Sequence, residues 1–248
     1  MTNLEGRVAL VTGASSGIGE ATAMALALSG CEVALFARRK SRLESLAGRI
    51  EGETGKKALV IAGDVRENEA AVKAVSSTVE GFGRLDILVN NAGVMYVGPV
   101  ASADVKDWKN MVDINVLGLM YFTHAAIPEL KKQGGNIVNI SSVSGRLVSS
   151  RSAVYSATKF AVNAFSDGIR QELAADRIRV TVIEPGAVLT ELTDHIADSH
   201  TKDTVKKWVA TMEALQSEDI ASAIVYAAGQ PAHVNVNEIL IRPTDQTF

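Results

Sequence analysis

The stretch VALVTGASSGIGEATAMALALS, Val8 to Ser29, decides the fold. Its first residues, Val8 to Val11, are apolar at consecutive positions and end at Thr12. Such a strand is covered on both faces, as in a parallel sheet lying between helices. A glycine-rich turn follows, Thr12-Gly13-Ala14-Ser15-Ser16-Gly17-Ile18-Gly19, and the Ala-, Leu- and Met-rich run Gly17–Ser29 reads as a helix. Glycines here permit a tight turn, close approach to a pyrophosphate and close helix–strand packing. The helix start offers unpaired N–H groups and partial positive charge to an anion. The turn, spaced G-x-x-x-G-x-G, therefore reads as a dinucleotide site.

The same alternation continues outward. Strands are expected at Val8–Thr12, Glu32–Ala37, Ala58–Gly63, Ile87–Asn90, Asn136–Ile140, Arg179–Ile183 and Glu238–Ile241. Helices are expected at Ser41–Glu53, Glu67–Phe82, Val105–Lys132 (one long helix or two abutting) and Ala153–Asp176. The β-α-β order implies an α/β doubly wound Rossmann fold of about seven parallel strands with right-handed crossovers. The whole chain, 1–248, is expected to form one domain. Thr190–Ser217 is helix-prone and polar, an insertion on the substrate side that either closes over a ligand or lies as a surface hairpin.

Composition narrows the function. Apolar residues make up 47% and charged residues 21%, which excludes a disordered chain or a coiled coil. The net charge of −3, without a basic block, argues against a nucleic-acid partner. The longest apolar candidate, Ile114 to Pro128, is broken by Asn115, Thr123 and His124, so no membrane partner is expected. Cys31 is the one cysteine, which excludes an intrachain disulfide and fits a reducing compartment. The N-terminus carries neither the basic head nor the cleavage site of a signal peptide, and a cytoplasmic protein is expected. His124, His195, His200 and His233 form no ligand spacing, so no metal site is expected.

At the end of the second strand, where a ribose-binding acid would stand about 20 residues beyond the glycine turn, the chain has Ala37-Arg38-Arg39. A guanidinium suits a 2′-phosphate, whereas a carboxylate would repel it, so NADP(H) is expected over NAD(H). Tyr155 and Lys159 stand at i and i+4 on an expected helix and share a face. The ammonium is expected to lower the phenol's pKa toward the range of efficient proton transfer. Ser142, at the end of a strand, can donate to a substrate oxygen, with Ser141 and Ser144 as rivals. Arg146 and Arg151 either meet a substrate carboxylate or face solvent, Trp108 is expected to pack, and Trp208 lines either the substrate side or an interface.

These motifs together resemble the short-chain dehydrogenase/reductase family over essentially the whole chain. They are TGASSGIG at 12–19, Asp64-Val65, Asn90-Asn91-Ala92-Gly93, Asn115, Ser142, YSATK at 155–159, and Pro185-Gly186 with Thr190. The resemblance implies catalytic roles for Asn115, Ser142, Tyr155 and Lys159. Ser142 would polarise the carbonyl or alcohol oxygen, and Tyr155 would be the general acid in reduction and base in oxidation. Lys159 would also hold the nicotinamide ribose, and Asn115 a helix-bulge water in a proton relay. Cofactor contacts would come from Gly13, Ser15, Ser16, Gly17, Ile18 and Gly19, and from Arg38 and Arg39. Asp64 and Val65 would meet adenine, Asn91, Ala92 and Gly93 the adenosine and phosphate side. Pro185, Gly186, Val188 and Thr190 would carry the nicotinamide carboxamide, and Asn90 would fix the central strands.

Two departures stand out. NADP(H)-preferring members of the family often have a basic residue where this chain has Ser16, so specificity would rest on Arg38, helped by Ser15 and Arg39. The C-terminal stretch Asn235 to Gln246 resembles the branch of clavulanate dehydrogenase and the 3-hydroxy acid (serine-type) dehydrogenases, which suggests a small polar carbonyl. The implied activity is an NADP(H)-dependent carbonyl reductase or alcohol dehydrogenase acting on a small molecule, as a homodimer or homotetramer. The rival class is an NADP(H)-binding regulator with little catalysis.

Overall fold

Strand β1 (Val8–Thr12) sits at the centre of a sheet whose two faces are both buried. Side chains alternate between the faces of a strand. Ala9 and Val11 accordingly enter one core with Leu26, Leu43 and Ile220, while Leu10 enters the other with Phe36, Phe122 and Ile137. The computed structural model describes residues 4–196 and 198–247.

The elements follow β1 as α1 (Gly17–Leu28), β2 (Glu32–Ala37), α2 (Lys40–Thr54), β3 (Leu59–Ala62), α3 (Asn68–Phe82) and β4 (Ile87–Asn90). The second half runs α4 (Val105–Val112), α5 (Leu119–Leu130), β5 (Gly135–Ile140), α6 (Ala153–Glu172) and β6 (Ile178–Pro185). It closes with α7 (Ser199–Val209), α8 (Ser217–Ala228) and β7 (Glu238–Ile241). All pairings are parallel, in the order β3-β2-β1-β4-β5-β6-β7. This is the expected Rossmann architecture of seven parallel strands in a single domain. The order reverses between β1 and β4, which opens a crevice beyond their C-terminal ends, where open α/β sheets bind ligands.

Several boundaries differ from those the sequence pattern suggests. The long helix expected over Val105–Lys132 is interrupted by a wide π-helical turn at Asp113–Gly118. The Ala153–Asp176 helix stops at Glu172, and a 3-10 turn at Ala174–Asp176 leads to Arg177 in the left-handed region. Strand β6 runs past Ile183 to Pro185 because β7 pairs with it there, Pro185 against Ile241. Helix α8 is not among the expected helices. Its buried Ile220, Ala221, Ile224, Ala227 and Ala228 pack in the core that also holds Leu26 of α1.

Candidate active site

The glycine turn is held shut by its neighbour. The Thr12 hydroxyl accepts from the Asn91 and Ala92 backbone N–H groups at 3.0 and 3.1 Å. The Asn91 side chain donates to the carbonyls of Thr12 and Gly13. Gly13 has φ +67, and a Cβ there would lie 2.8 Å from the Ala92 Cα. Only glycine combines that conformation with that approach. The expectation for Asn91 is thereby refined, since its amide is engaged in shaping the turn. Gly19 does not line the cleft; a side chain there would strike Gly13 and Asn91, so its place is in packing. The role of Thr12 in shaping the turn is not expected from the sequence, although the residue lies inside the TGASSGIG motif.

A cleft of about 1220 Å³ runs across the C-terminal ends of the strands. One wall is lined by the glycine turn from Gly13 through Ser15, Ser16 and Gly17 to Ile18, and by Arg38 and Arg39. Asp64, Val65, Asn91, Ala92 and Gly93 continue the wall. Pro185, Gly186, Val188 and Thr190 face them from the loop after β6. That loop is carried by the C-terminal segment: the Gly186 N–H donates to the Ile241 carbonyl at 2.7 Å, and Ala187 N–H to Gln246 Oε1 at 2.9 Å.

Arg39 and Arg38 differ. The Arg39 guanidinium donates to Ser15 Oγ at 3.1 Å, to Ser16 Oγ at 2.6 Å and to Glu191 at 2.8 Å. Arg38 is exposed at the cleft wall. The Asp64 carboxylate is forked onto Arg66, at 2.6 Å for the closest pair, which holds it below the usual carboxylate range.

The expected catalytic group comes together at one end of the cleft. Ser142 caps a short 3-10 turn; its hydroxyl accepts from Ser144 N–H at 3.1 Å and donates to the Pro185 carbonyl at 3.5 Å, and it lines the cleft with Tyr155. Its rival Ser141 turns away and donates to the Lys159 carbonyl at 3.3 Å. Lys159 is one helical turn beyond Tyr155, its ammonium 5.7 Å from the centre of the phenol ring. The ammonium donates to the Ile140 carbonyl at 2.9 Å. Asn115, in the wide turn, does not line the cleft. Its Oδ1 accepts from Val94 N–H at 2.8 Å, and its Nδ2 donates to the Val94 carbonyl and to Thr158 Oγ1.

The electrostatics correct one expectation. Burial pushes the Tyr155 phenol up to about 12, and the nearby Ser142 hydroxyl offsets this only in part. Burial also lowers Lys159 to about 8. Desolvation penalises the charged form of each, and here it outweighs the expected acidification by the ammonium. The phenol is therefore a protonated donor across the neutral range.

Other candidates resolve plainly. Arg146 pairs with the buried Glu184 at 2.6 Å and with Glu238, away from any substrate role. Arg151 lines the cleft and donates to Thr201 Oγ1 at 3.0 Å. Trp108 packs against the core, and Trp208 lines the cleft on its substrate side. His200 also lines it, while the His195 side chain lies outside the described residues. Among the described residues no cluster of three metal-ligating side chains occurs, and no helix is long and apolar enough to cross a membrane.

A family model described as short chain dehydrogenase matches residues 7–201. The chain belongs to the short-chain dehydrogenase/reductase family and is an oxidoreductase. An uncharacterized oxidoreductase of Staphylococcus saprophyticus is 43% identical over 246 residues, covering 98% of this chain and 100% of that protein. A counterpart in Staphylococcus aureus is 40% identical over 98% of this chain and 100% of its own length. Among solved structures, the closed form of a serine dehydrogenase complexed with NADP+ is 35% identical, with a TM-score of 0.88 over 97% of this chain and 96% of that one. This likeness supports the serine-type branch. An alcohol dehydrogenase from the archaeon Thermococcus sibiricus, complexed with 5-hydroxy-NADP, is 30% identical, with a TM-score of 0.86 over 97% of both chains.

Proposed function

We propose that the protein is an NADP(H)-dependent oxidoreductase that interconverts a carbonyl and an alcohol on a small molecule. The observation that carries this is that Ser142, Tyr155 and Lys159 line one cleft, with the Lys159 ammonium 5.7 Å from the centre of the phenol ring. Lys159 lies one turn on, in the cleft that the glycine turn also lines. The residues present fit a dinucleotide: the glycine turn lines the cleft at the start of α1, where backbone N–H groups suit a pyrophosphate, and Arg38, Arg39, Ser15 and Ser16 offer donors to a 2′-phosphate.

When bound, the nicotinamide supplies or accepts the hydride at C4. Ser142 holds and polarises the substrate oxygen. Tyr155, protonated across the neutral range, gives its proton to that oxygen in reduction. Lys159 positions the nicotinamide ribose and keeps positive charge near the phenol. Asn115 acts as a positioning residue behind Val94. The segment 190–217 forms the substrate-side cover, since Thr204, Val205 and Trp208 of α7 line the cleft.

The substrate end is rimmed by Met95, Val97, Leu147, Val148, Val205 and Trp208, with Arg151 beside them. Ser149, Ser150, His200, Thr201 and Thr204 line the same wall, so it suits a carbonyl compound that carries both an apolar body and a polar group. We also infer a homodimer or homotetramer working in the cytoplasm.

The test is Tyr155→Phe, which removes the proton donor and keeps the ring. NADPH binding, followed by its fluorescence, should be retained while carbonyl reduction falls by about 10²–10⁴-fold. Undiminished turnover would exclude the mechanism. A wild type that binds NADPH tightly yet stays silent across a broad carbonyl panel would favour the regulator.

A further inference from the structure

Glu191 carries no motif of its own, yet it occupies a charged crossing point. It starts the 3-10 turn Glu191–His195 that leads toward α7, directly after Thr190. The methyl and Cβ of Thr190 pack at the glycine turn, near where a Cβ on Gly17 would lie. From there the Glu191 carboxylate reaches across to the start of α2. One oxygen accepts from Arg39 at 2.8 Å and the other from Arg42 at 2.6 Å. Those two guanidinium groups hold the carboxyl down near 2, so it is ionised at any working pH. Each nitrogen of the Arg39 guanidinium is then engaged: Nε on Ser15, one terminal nitrogen on Ser16, the other on Glu191.

Arg39, Ser15 and Ser16 are also the donors that a 2′-phosphate would take. A guanidinium fork serves one anion bidentately, and two anions on one fork repel each other. The Glu191 pairs are about half exposed, so they are weak and screened by salt. A phosphate group, with more charge and more acceptor oxygens, can displace them. Resting on the proposed NADP(H) reading, we propose that Glu191 is a cofactor-selecting carboxylate. It occupies the 2′-phosphate donors in competition with NADP(H) and leaves Arg39 when that phosphate arrives. NAD(H), lacking the phosphate, does not compete for these donors and leaves the Glu191 pairs intact, so Glu191 narrows the preference for NADP(H) over NAD(H).

Glu191→Gln removes the charge and keeps the shape. Affinities are read by calorimetry with NADP+, NAD+, adenosine 2′,5′-bisphosphate and 5′-AMP, none of which requires turnover. The expected result is three- to tenfold tighter binding of NADP+ and the bisphosphate, with NAD+ and 5′-AMP within twofold of wild type. Weaker NADP+ binding, a change under twofold, or equal tightening of NADP+ and NAD+ overturns the proposal. Arg38→Ala, measured in parallel, separates the two levels. If it weakens NADP+ more than NAD+ while Glu191→Gln fails, only the selecting role of Glu191 falls. If it weakens both equally, the 2′-phosphate assignment falls and takes this proposal with it.

Discussion

Lys159 shows how burial acts on a single side chain. Its ammonium donates to the Ile140 carbonyl, and desolvation brings its pKa from 10.5 to about 8. Below pH 8 the folded protein bears the full cost of a buried charge. Between about 8 and 10.5 the unfolded chain binds more protons at this site than the folded one, so stability rises with pH. A tenfold difference in proton affinity between the two states corresponds to about 1.4 kcal/mol. Tyr155 works in the opposite sense: its pKa is raised from 10.0 to about 12, and its contribution is lost as pH climbs from 10 to 12. The Tm of the wild type relative to Lys159→Met should therefore climb from pH 7.5 to 10. A difference that stays flat over that range would contradict the buried charge.

At the scale of the element, the wide turn Asp113–Gly118 joins α4 to α5 and rotates Asn115 inward. Such π-turns recur at functional sites because the extra residue redirects a side chain. Asn115 grips both backbone groups of Val94, and a Cβ on Gly118 would lie 3.0 Å from the Val65 carbonyl. One turn thus positions two segments of the cleft wall. In Asn115→Ala the buried Val94 N–H and carbonyl lose these partners. At ~1–3 kcal/mol for each of the two groups, the variant should be about 2–6 kcal/mol less stable in urea denaturation. A loss below about 0.5 kcal/mol would show that Val94 finds other partners.

For the whole molecule, the covered sheet leaves apolar side chains exposed on the helices outside it. Val105 and Val112 on α4 and Phe160 on the adjoining α6 are among them. Exposed apolar surface of this kind commonly marks an association face. Light scattering should give the mass of two or four chains, and Phe160→Glu should shift that mass toward one. A monomeric wild type would overturn the inferred oligomer.

Much of this is legible in the chain itself. Consecutive apolar residues such as Val8–Val11 report burial on both faces, and that alone implies a parallel sheet. Gly13, Tyr155 and Lys159 can be found because their chemistry is local: a tight turn, or two side chains one helical turn apart. Helix α8 is legible by the same rule, although it is not among the helices expected above: Ile220, Ala221, Ile224, Ala227 and Ala228 recur at helical spacing behind the Gln216–Asp219 capping box. Glu191 escapes it because it lies 152 residues from Arg39, and no local period links them. Strand order, the Asn115 grip on Val94 and the raised phenol pKa are likewise decided by the tertiary structure. Periodicity records which groups leave water, but desolvation and long-range charge depend on which groups then meet.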